Sequence, residues 1–218
     1  MVAVNVTPEC FALLVRLARR AGADPHDWAA VIYEESVWNP HRANAGGAKY
    51  YGLNQMGVDE ARASGWRGAF PSGWLVLDAI EQLPYVAAFF VAKARTVGPV
   101  TFASAAHLLA ANFLPARVHG RAAPEDVDYP LCRAGEVDLE GKPTRFYESN
   151  RSYDHSGKGF ITIRDLAVTL EHVRQWNPRD TAALRAGVNA ASAAIDAETL
   201  PAIAADDSSP DATEGEPG

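Results

Sequence analysis

Cysteine is scarce in this chain of 218 residues, which has only Cys10 and Cys132. Two thiols so far apart make no disulfide scaffold, and no second Cys or His lies at zinc-ligand spacing beside either. Two unpaired thiols in a reducing compartment are expected. The six histidines, His107, His119, His155 and His172 among them, give no zinc spacing. Long hydrophobic runs are missing too. The longest stretch, near Tyr85–Ala94, follows Pro84 and ends at Lys93 and Arg95. It is too short to cross a bilayer and reads as a core helix, so no transmembrane segment is expected. The first nine residues, Met1 to Glu9, have no basic patch and no sustained apolar run, and no signal peptide is expected. Positive charge is in deficit: 20 Lys and Arg stand against 27 Asp and Glu, a net −7. That excludes nucleic acid as the main partner, because a phosphate binder needs a basic face. An uncharged sugar is not excluded. A Gly-rich phosphate loop and a Ser nucleophile elbow are also absent.

What is present is apolar material for a core, 48% of the chain. The length suits one domain with extensions. Thr7-Pro8-Glu9 has the form of a helix start, and Phe11, Leu14, Val15 and Ala18 recur at helical spacing before Gly22. Asp24-Pro25 opens a second helix that runs to about Ser36, with Pro40 beyond it. Asn44–Trp74 reads as loops with short strands. Leu75–Val97, Phe102–Phe113 and Ile163–Trp176 are the further predicted helices, and Leu114–Arg145 is irregular. Asp180–Ile195 is Ala-rich, a weak amphipathic helix. Ala204–Gly218 is acidic and rich in Ser, Pro and Gly, the composition of a disordered tail. The expected fold class is mainly α. The expected division is a domain over 5–178, with its motif-bearing core at 7–115 and an irregular part at 116–178, followed by helix and tail over 179–218.

Chemistry centres on the second helix. At about 100° per residue, Trp28, Val31 and Ile32 form an apolar stripe with Glu35 in its middle, while Glu34 points aside with Asp27 and Ala30. Glu35 is therefore expected to be partly buried, and Glu34 wet. Burial disfavours the charged carboxylate and raises its pKa. A carboxylic acid still protonated near neutral pH is what a poor leaving group such as a glycosidic oxygen requires. Helix geometry alone leaves open that Glu35 simply reaches solvent.

The residues that follow carry a resemblance. Glu35-Ser36-Val37-Trp38-Asn39-Pro40-His41-Arg42-Ala43 resembles the Glu-Ser-x-aromatic-Asn-Pro-x-Ala stretch of soluble lytic transglycosylases, relatives of goose-type lysozyme. Gly47-Ala48-Lys49-Tyr50-Tyr51-Gly52-Leu53-Asn54-Gln55-Met56 is similar to their Gly-Ala-x-Gly-Leu-Met-Gln motif, with extra residues before the second Gly and Asn54 where Met is usual. Ala110-Ala111-Asn112-Phe113-Leu114-Pro115 resembles their Ala-Tyr-Asn-Ala-Gly-Pro motif at Ala110, Asn112 and Pro115. The three occur in the family's order, over about Thr7–Pro115.

The resemblance implies a lysozyme-like helical domain that cuts the MurNAc–GlcNAc bond of peptidoglycan glycan strands. Glu35 then corresponds to the single catalytic acid and base. Ser36 corresponds to a residue that orients this acid or the sugar, Gln55 to one that hydrogen-bonds substrate, and Asn112 to one at the cleft. Tyr51, with Tyr50 and Trp38, offers flat faces for sugar rings. Plainer alternatives stay open: Ser36 satisfies a helix end, Asn39-Pro40 is only a turn, and Trp38 belongs to the core. The family's tyrosine near the acid has two candidates, Tyr129 and Tyr147. No second carboxylate is marked as a partner, Asp59 and Glu60 being the nearest downstream acids. A one-acid site favours closure of an anhydro ring over hydrolysis.

Asp154-His-Ser-Gly-Lys-Gly-Phe-Ile-Thr-Ile-Arg-Asp165 has the outline of an EF-hand loop, with candidate calcium ligands Asp154, Ser156 and Asp165. Lys158 stands where a ligand oxygen belongs. The favoured reading is a turn that no longer holds calcium, with Thr162 and Asp165 as a capping box for the last periodic helix. No cofactor is expected. Two other classes remain beside the enzyme: a catalytically inactive lysozyme-like structural or wall-binding protein, and a calcium-responsive interaction protein. A muramidase-type hydrolase or endolysin is the variant reading of the enzyme itself. The missing export signal, the degenerate loop and the low-complexity tail point to a phage protein, expected in the virion and acting on the bacterial cell wall. The acidic C-terminal region is then a candidate for docking other virion proteins.

Overall fold

A computed structural model describes residues 6–44, 49–97, 103–114 and 127–206. Among them are eight α-helices and one small antiparallel sheet, so the fold is mainly helical. Helix α1 (Pro8–Ala21) starts at Thr7, whose hydroxyl accepts the Cys10 N–H, and stops at Gly22 in the left-handed conformation, φ 73°. Helix α2 (Pro25–Ser36) starts at Asp24, whose carboxylate accepts the N–H groups of His26 and Asp27. Cys10 and Cys132 are both buried.

The segment expected as loops contains a short helix, α3 (Val58–Ala63), and isolated bridges that join Tyr51 to Ala43 and to Met56. Helix α4 (Ala79–Val97) begins later than the predicted Leu75. Asp78 and Glu81 cap one another there, each accepting the other's N–H at 2.9 Å, which fixes the first turn. Helix α5 (Ala105–Phe113) likewise begins after the predicted Phe102, at a Ser104 cap. Strands β1 (Cys132–Arg133) and β2 (Phe160–Ile161) pair antiparallel around the short helix α6 (Phe146–Ser149) and a 3₁₀ turn (Arg151–Tyr153). Helix α7 (Ile163–Trp176) carries the capping box expected of Thr162 and Asp165.

Trp28, Val31 and Ile32 of α2 lie fully in the core with Leu14 and Val15 of α1, Phe90 of α4, and Leu108 and Leu109 of α5. Trp28 meets Phe90 edge-on at 5.6 Å. This buried stripe is the one on which the sequence puts Glu35.

The Ala-rich segment beyond Trp176 is not set apart from this core. Pro178, read above as a boundary, is the first residue of α8 (Pro178–Asp206), a position proline tolerates. Helix α8 packs on α1 and α2, with Leu184, Val188 and Ala191 buried. Gly187 lies so near the Phe11 ring that a Cβ would overlap it. Tyr33 donates to Asp180 at 2.8 Å, and Arg19 and Arg16 pair with Asp196 and Glu198 on the surface. The acidic stretch 207–218 lies outside the described residues. No helix among the described residues is long and apolar enough to cross a membrane.

Candidate active site

Glu35 sits in the last turn of α2, half-buried at the end of the apolar stripe. Burial is the main reason its carboxyl is pushed up to about 7 from an ordinary value of 4.5. A hydrogen bond from Asn112 and the charge of Arg42 pull the other way, and the neighbouring Glu34 adds to the rise. Asn112, in α5, donates its side-chain N–H to Glu35 Oε1 at 2.7 Å. The packing of α5 on α2 brings these two motif residues together. Asn112 in turn accepts a 2.5 Å hydrogen bond from the Nδ2 of Asn54, which is 1% exposed. Asn54 is the residue that stands in the usual Met position of the second motif. It therefore joins that motif to the other two.

Glu34 is not wet, contrary to the expectation. It is half-buried and its own carboxyl is raised, by burial first, with Arg42 lowering it. The α2 helix ends at Val37 in the left-handed conformation, φ 56°, followed by Trp38 at φ 59°. A β-branched residue there costs on the order of 1–3 kcal/mol, a strain held by the packing around it.

The other expected site residues have different occupations. Ser36 is 0% exposed and donates to the Ile32 carbonyl at 3.0 Å. It satisfies the helix end, the plainer of the two readings, and cannot touch a sugar from there. Trp38 is buried, with its indole N–H on the Ala29 carbonyl, and belongs to the core. Asn39 accepts the His41 N–H and belongs to the turn that directly follows α2. Gln55 is occupied within its own loop: its Nε2 donates to the carbonyls of Gly52 and Arg42 and holds the loop, with φ 45°. Tyr51 packs edge-on against Phe70 at 5.6 Å and is half-buried, while Tyr50 is exposed. Gly47, Ala48 and Pro115, quoted in the motifs, lie outside the described residues.

Of the two expected tyrosines, Tyr147 is taken up elsewhere: its hydroxyl donates to Asp154 at 2.7 Å. The tyrosine that feels both carboxylates is Tyr153, in the 3₁₀ turn before β2. Its hydroxyl is held above its usual range by burial, then by the charges of Glu35 and Glu34. No periodicity or motif marks it in sequence. Gln82, also missed, is fully buried in α4 and clamps the loops beside the site. Its Oε1 accepts the Leu53 N–H, and its Nε2 reaches the carbonyls of Pro40 and Trp74. A signal existed for it: Gln82 shares a helical stripe with Val86, Phe89 and Phe90. Gly52, φ 83°, lies against Gln82 and Trp74 with no room for a side chain.

The EF-hand-like loop holds a cation of its own. Lys158 Nζ sits 2.9 Å and 3.0 Å from the two Asp165 oxygens and 4.8 Å from the Phe160 ring centre. Asp165 also accepts from Thr162, and Asp154 is taken up by Tyr147, Ser156 and the N–H groups of Lys158 and Gly159. The candidate ligands Asp154, Ser156 and Asp165 are thus committed to the loop and its ammonium group. Among the described residues no group of three or more His, Cys, Asp or Glu is arranged to hold a metal ion. A cavity of about 50 Å³ lies between α2, α7 and α8, lined by Tyr33, Leu170, Arg174 and Leu184 among others, and Glu35 is not part of it.

The half-buried Glu35, its Asn112 donor and the nearby Tyr153 form one acid–base cluster from three separate parts of the chain. No family model, no curated protein and no solved structure matches this chain.

Proposed function

We propose that this chain is a lytic transglycosylase with a lysozyme-like fold, which cleaves the MurNAc–GlcNAc bond of peptidoglycan strands with Glu35 as its one catalytic carboxyl group. The observation that carries the reading is the Glu35 carboxyl, raised to about 7 by burial and hydrogen-bonded by Asn112. At neutral pH about half the molecules then carry the proton that a departing sugar oxygen needs, and the other half carry the base.

In this mechanism Glu35 gives its proton to the bridging oxygen as the bond from the anomeric carbon to that oxygen breaks. A hydroxyl of the same sugar then bonds to the anomeric carbon, and its proton returns to Glu35. No water is consumed, and the product ends in an anhydro ring. Hydrolysis would call for a second carboxylate across the bond. Glu34 is the adjacent acid, and it projects about 100° round the same helix rather than from a facing element. This supports the anhydro route.

The partner in this reading is the glycan strand, and the setting is a phage virion that acts on the bacterial wall. Purified protein should clear a peptidoglycan zymogram, and Glu35→Gln should not. Mass spectrometry of the fragments separates the two chemistries, because an anhydro end lacks one water relative to a reducing end. Absence of clearing by the wild-type protein would leave the inactive, structural or wall-binding reading. Mass spectrometry of purified particles tests the virion setting.

A further inference from the structure

We infer that Asn54 is a positioning residue, which acts through Asn112 as an amide relay whose hydrogen bonds reverse direction as Glu35 gains or loses its proton. Its use in catalysis rests on the reading of Glu35 as acid and base; its existence does not.

Each amide side chain offers one acceptor and an NH₂ donor, so two in series can run either way. In the arrangement found here both donate toward the carboxylate: Asn54 Nδ2 to Asn112 Oδ1 at 2.5 Å, and Asn112 Nδ2 to Glu35 Oε1 at 2.7 Å. This is the order an ionised Glu35 requires, because a carboxylate only accepts. It leaves the buried Oδ1 of Asn54 with no hydrogen-bond partner among the described residues. A buried acceptor left empty costs about 1–3 kcal/mol. Once Glu35 is protonated, its O–H can donate to Asn112 Oδ1 when that amide turns over. Asn112 Nδ2 then meets Asn54, whose own amide turns to present the empty Oδ1. Glu35 therefore keeps a hydrogen bond to Asn112 whether it accepts as a carboxylate or donates as an acid.

A leucine or methionine at position 54 could not do this, having neither group. Among the described residues, the charged and titratable groups that face Glu35 are Glu34 on its own helix, Arg42 from the loop after α2, and Tyr153 from the 3₁₀ turn. Asn112 from α5 completes the ring of contacts. Of these, only Asn112 is hydrogen-bonded to Asn54 as well. Glu34 and Arg42 act on Glu35 by charge, so the relay is separable from them by its path.

Side-chain NMR of the full chain over roughly pH 5 to 9 tests it. The expected result is that the amide signals of Asn54 and Asn112 both move with the Glu35 midpoint, and that Asn112→Ala abolishes the movement at Asn54. Asn54 signals that stay flat, or that titrate unchanged in Asn112→Ala, would overturn the relay. Asn54→Leu should move the Glu35 midpoint by about half a pH unit, because the donor behind Asn112 and the empty Oδ1 that burdens the ionised state are both gone. It should move the alkaline limb of kcat for glycan cleavage by the same amount with KM little changed. An unshifted midpoint in a folded Asn54→Leu protein also overturns it. If that variant fails to fold, the wild-type titration still decides. None of the NMR measurements uses glycan, so a relay found in a protein that cuts no peptidoglycan sinks the proposed activity and not the relay.

Discussion

Asn112 on α5 donates its side-chain amide to Glu35 on α2 across 2.7 Å, although the two are 77 residues apart in the chain. That hydrogen bond works against burial: it stabilises the ionised form of a carboxyl group that its surroundings push toward neutrality. The midpoint near 7 is the balance of the two.

Asn112→Leu removes the stabilising side of this balance. The Glu35 midpoint should rise above 7 by about one pH unit, the equivalent of one lost hydrogen bond to a charged group. The alkaline limb of the pH–rate profile for glycan cleavage should follow it upward. An unchanged or lowered midpoint by NMR would show that Asn112 does not set it.

Glu35→Gln should lower cleavage by about 10²–10⁴-fold, the usual weight of a positioned acid–base group, and should also stabilise the fold at alkaline pH. The unfolded carboxyl titrates near 4.5 and the folded one near 7. Between these values the folded state holds the extra proton, so wild-type stability falls as pH rises through that window. The loss is complete above about 7 and amounts to roughly 3 kcal/mol. Glutamine cannot ionise and escapes it. Urea unfolding at about pH 4 and pH 8 should find the two proteins similar at the lower pH and the variant more stable at the higher. Equal differences at both would mean that Glu35 is not held in a costly charged state.

Gly187→Ala should loosen the docking of α8. The new methyl group would meet the Phe11 ring, which is 8% exposed and has little room to move. Overpacking of this kind costs about 1–3 kcal/mol, against the gain in helix propensity of about 1 kcal/mol from replacing glycine. A lower midpoint in urea is expected. A more stable variant would mean that α8 is not pressed against α1 in this way.

Calcium should leave the protein unmoved. With Lys158 paired to Asp165 at 2.9 Å, a divalent ion would have to displace an ammonium group already present. Millimolar calcium and EDTA should give the same Tm. Lys158→Asp removes that cation and adds a carboxylate, so it should make the loop sensitive to calcium, read as a calcium-dependent rise in Tm. A calcium-dependent Tm in the wild-type protein would overturn this account.

Local chemistry decided what could be read from the sequence. Thr7-Pro8, Asp24-Pro25 and the Thr162–Asp165 box mark helix starts because a cap needs only its own neighbouring N–H groups. The 3.6-residue period of Trp28, Val31 and Ile32 likewise carried Glu35 to the edge of the core without any knowledge of what would cover it. Other features depended on contacts between distant segments. Tyr153 and Gln82 owe their positions beside the site to the turn before β2 and to the burial of α4, and neither sits in a local pattern that names its partner. Ser36 could orient an acid or close a helix, and only the Ile32 carbonyl chose between them. Glu34 is drawn out of water by neighbours from elsewhere in the chain. The sequence by itself therefore determined the helices and the face on which the acid lies, because both are properties of a few adjacent residues. Only the tertiary structure decided what surrounds that acid, because Asn54, Asn112 and Tyr153 reach it through packing that no single segment encodes.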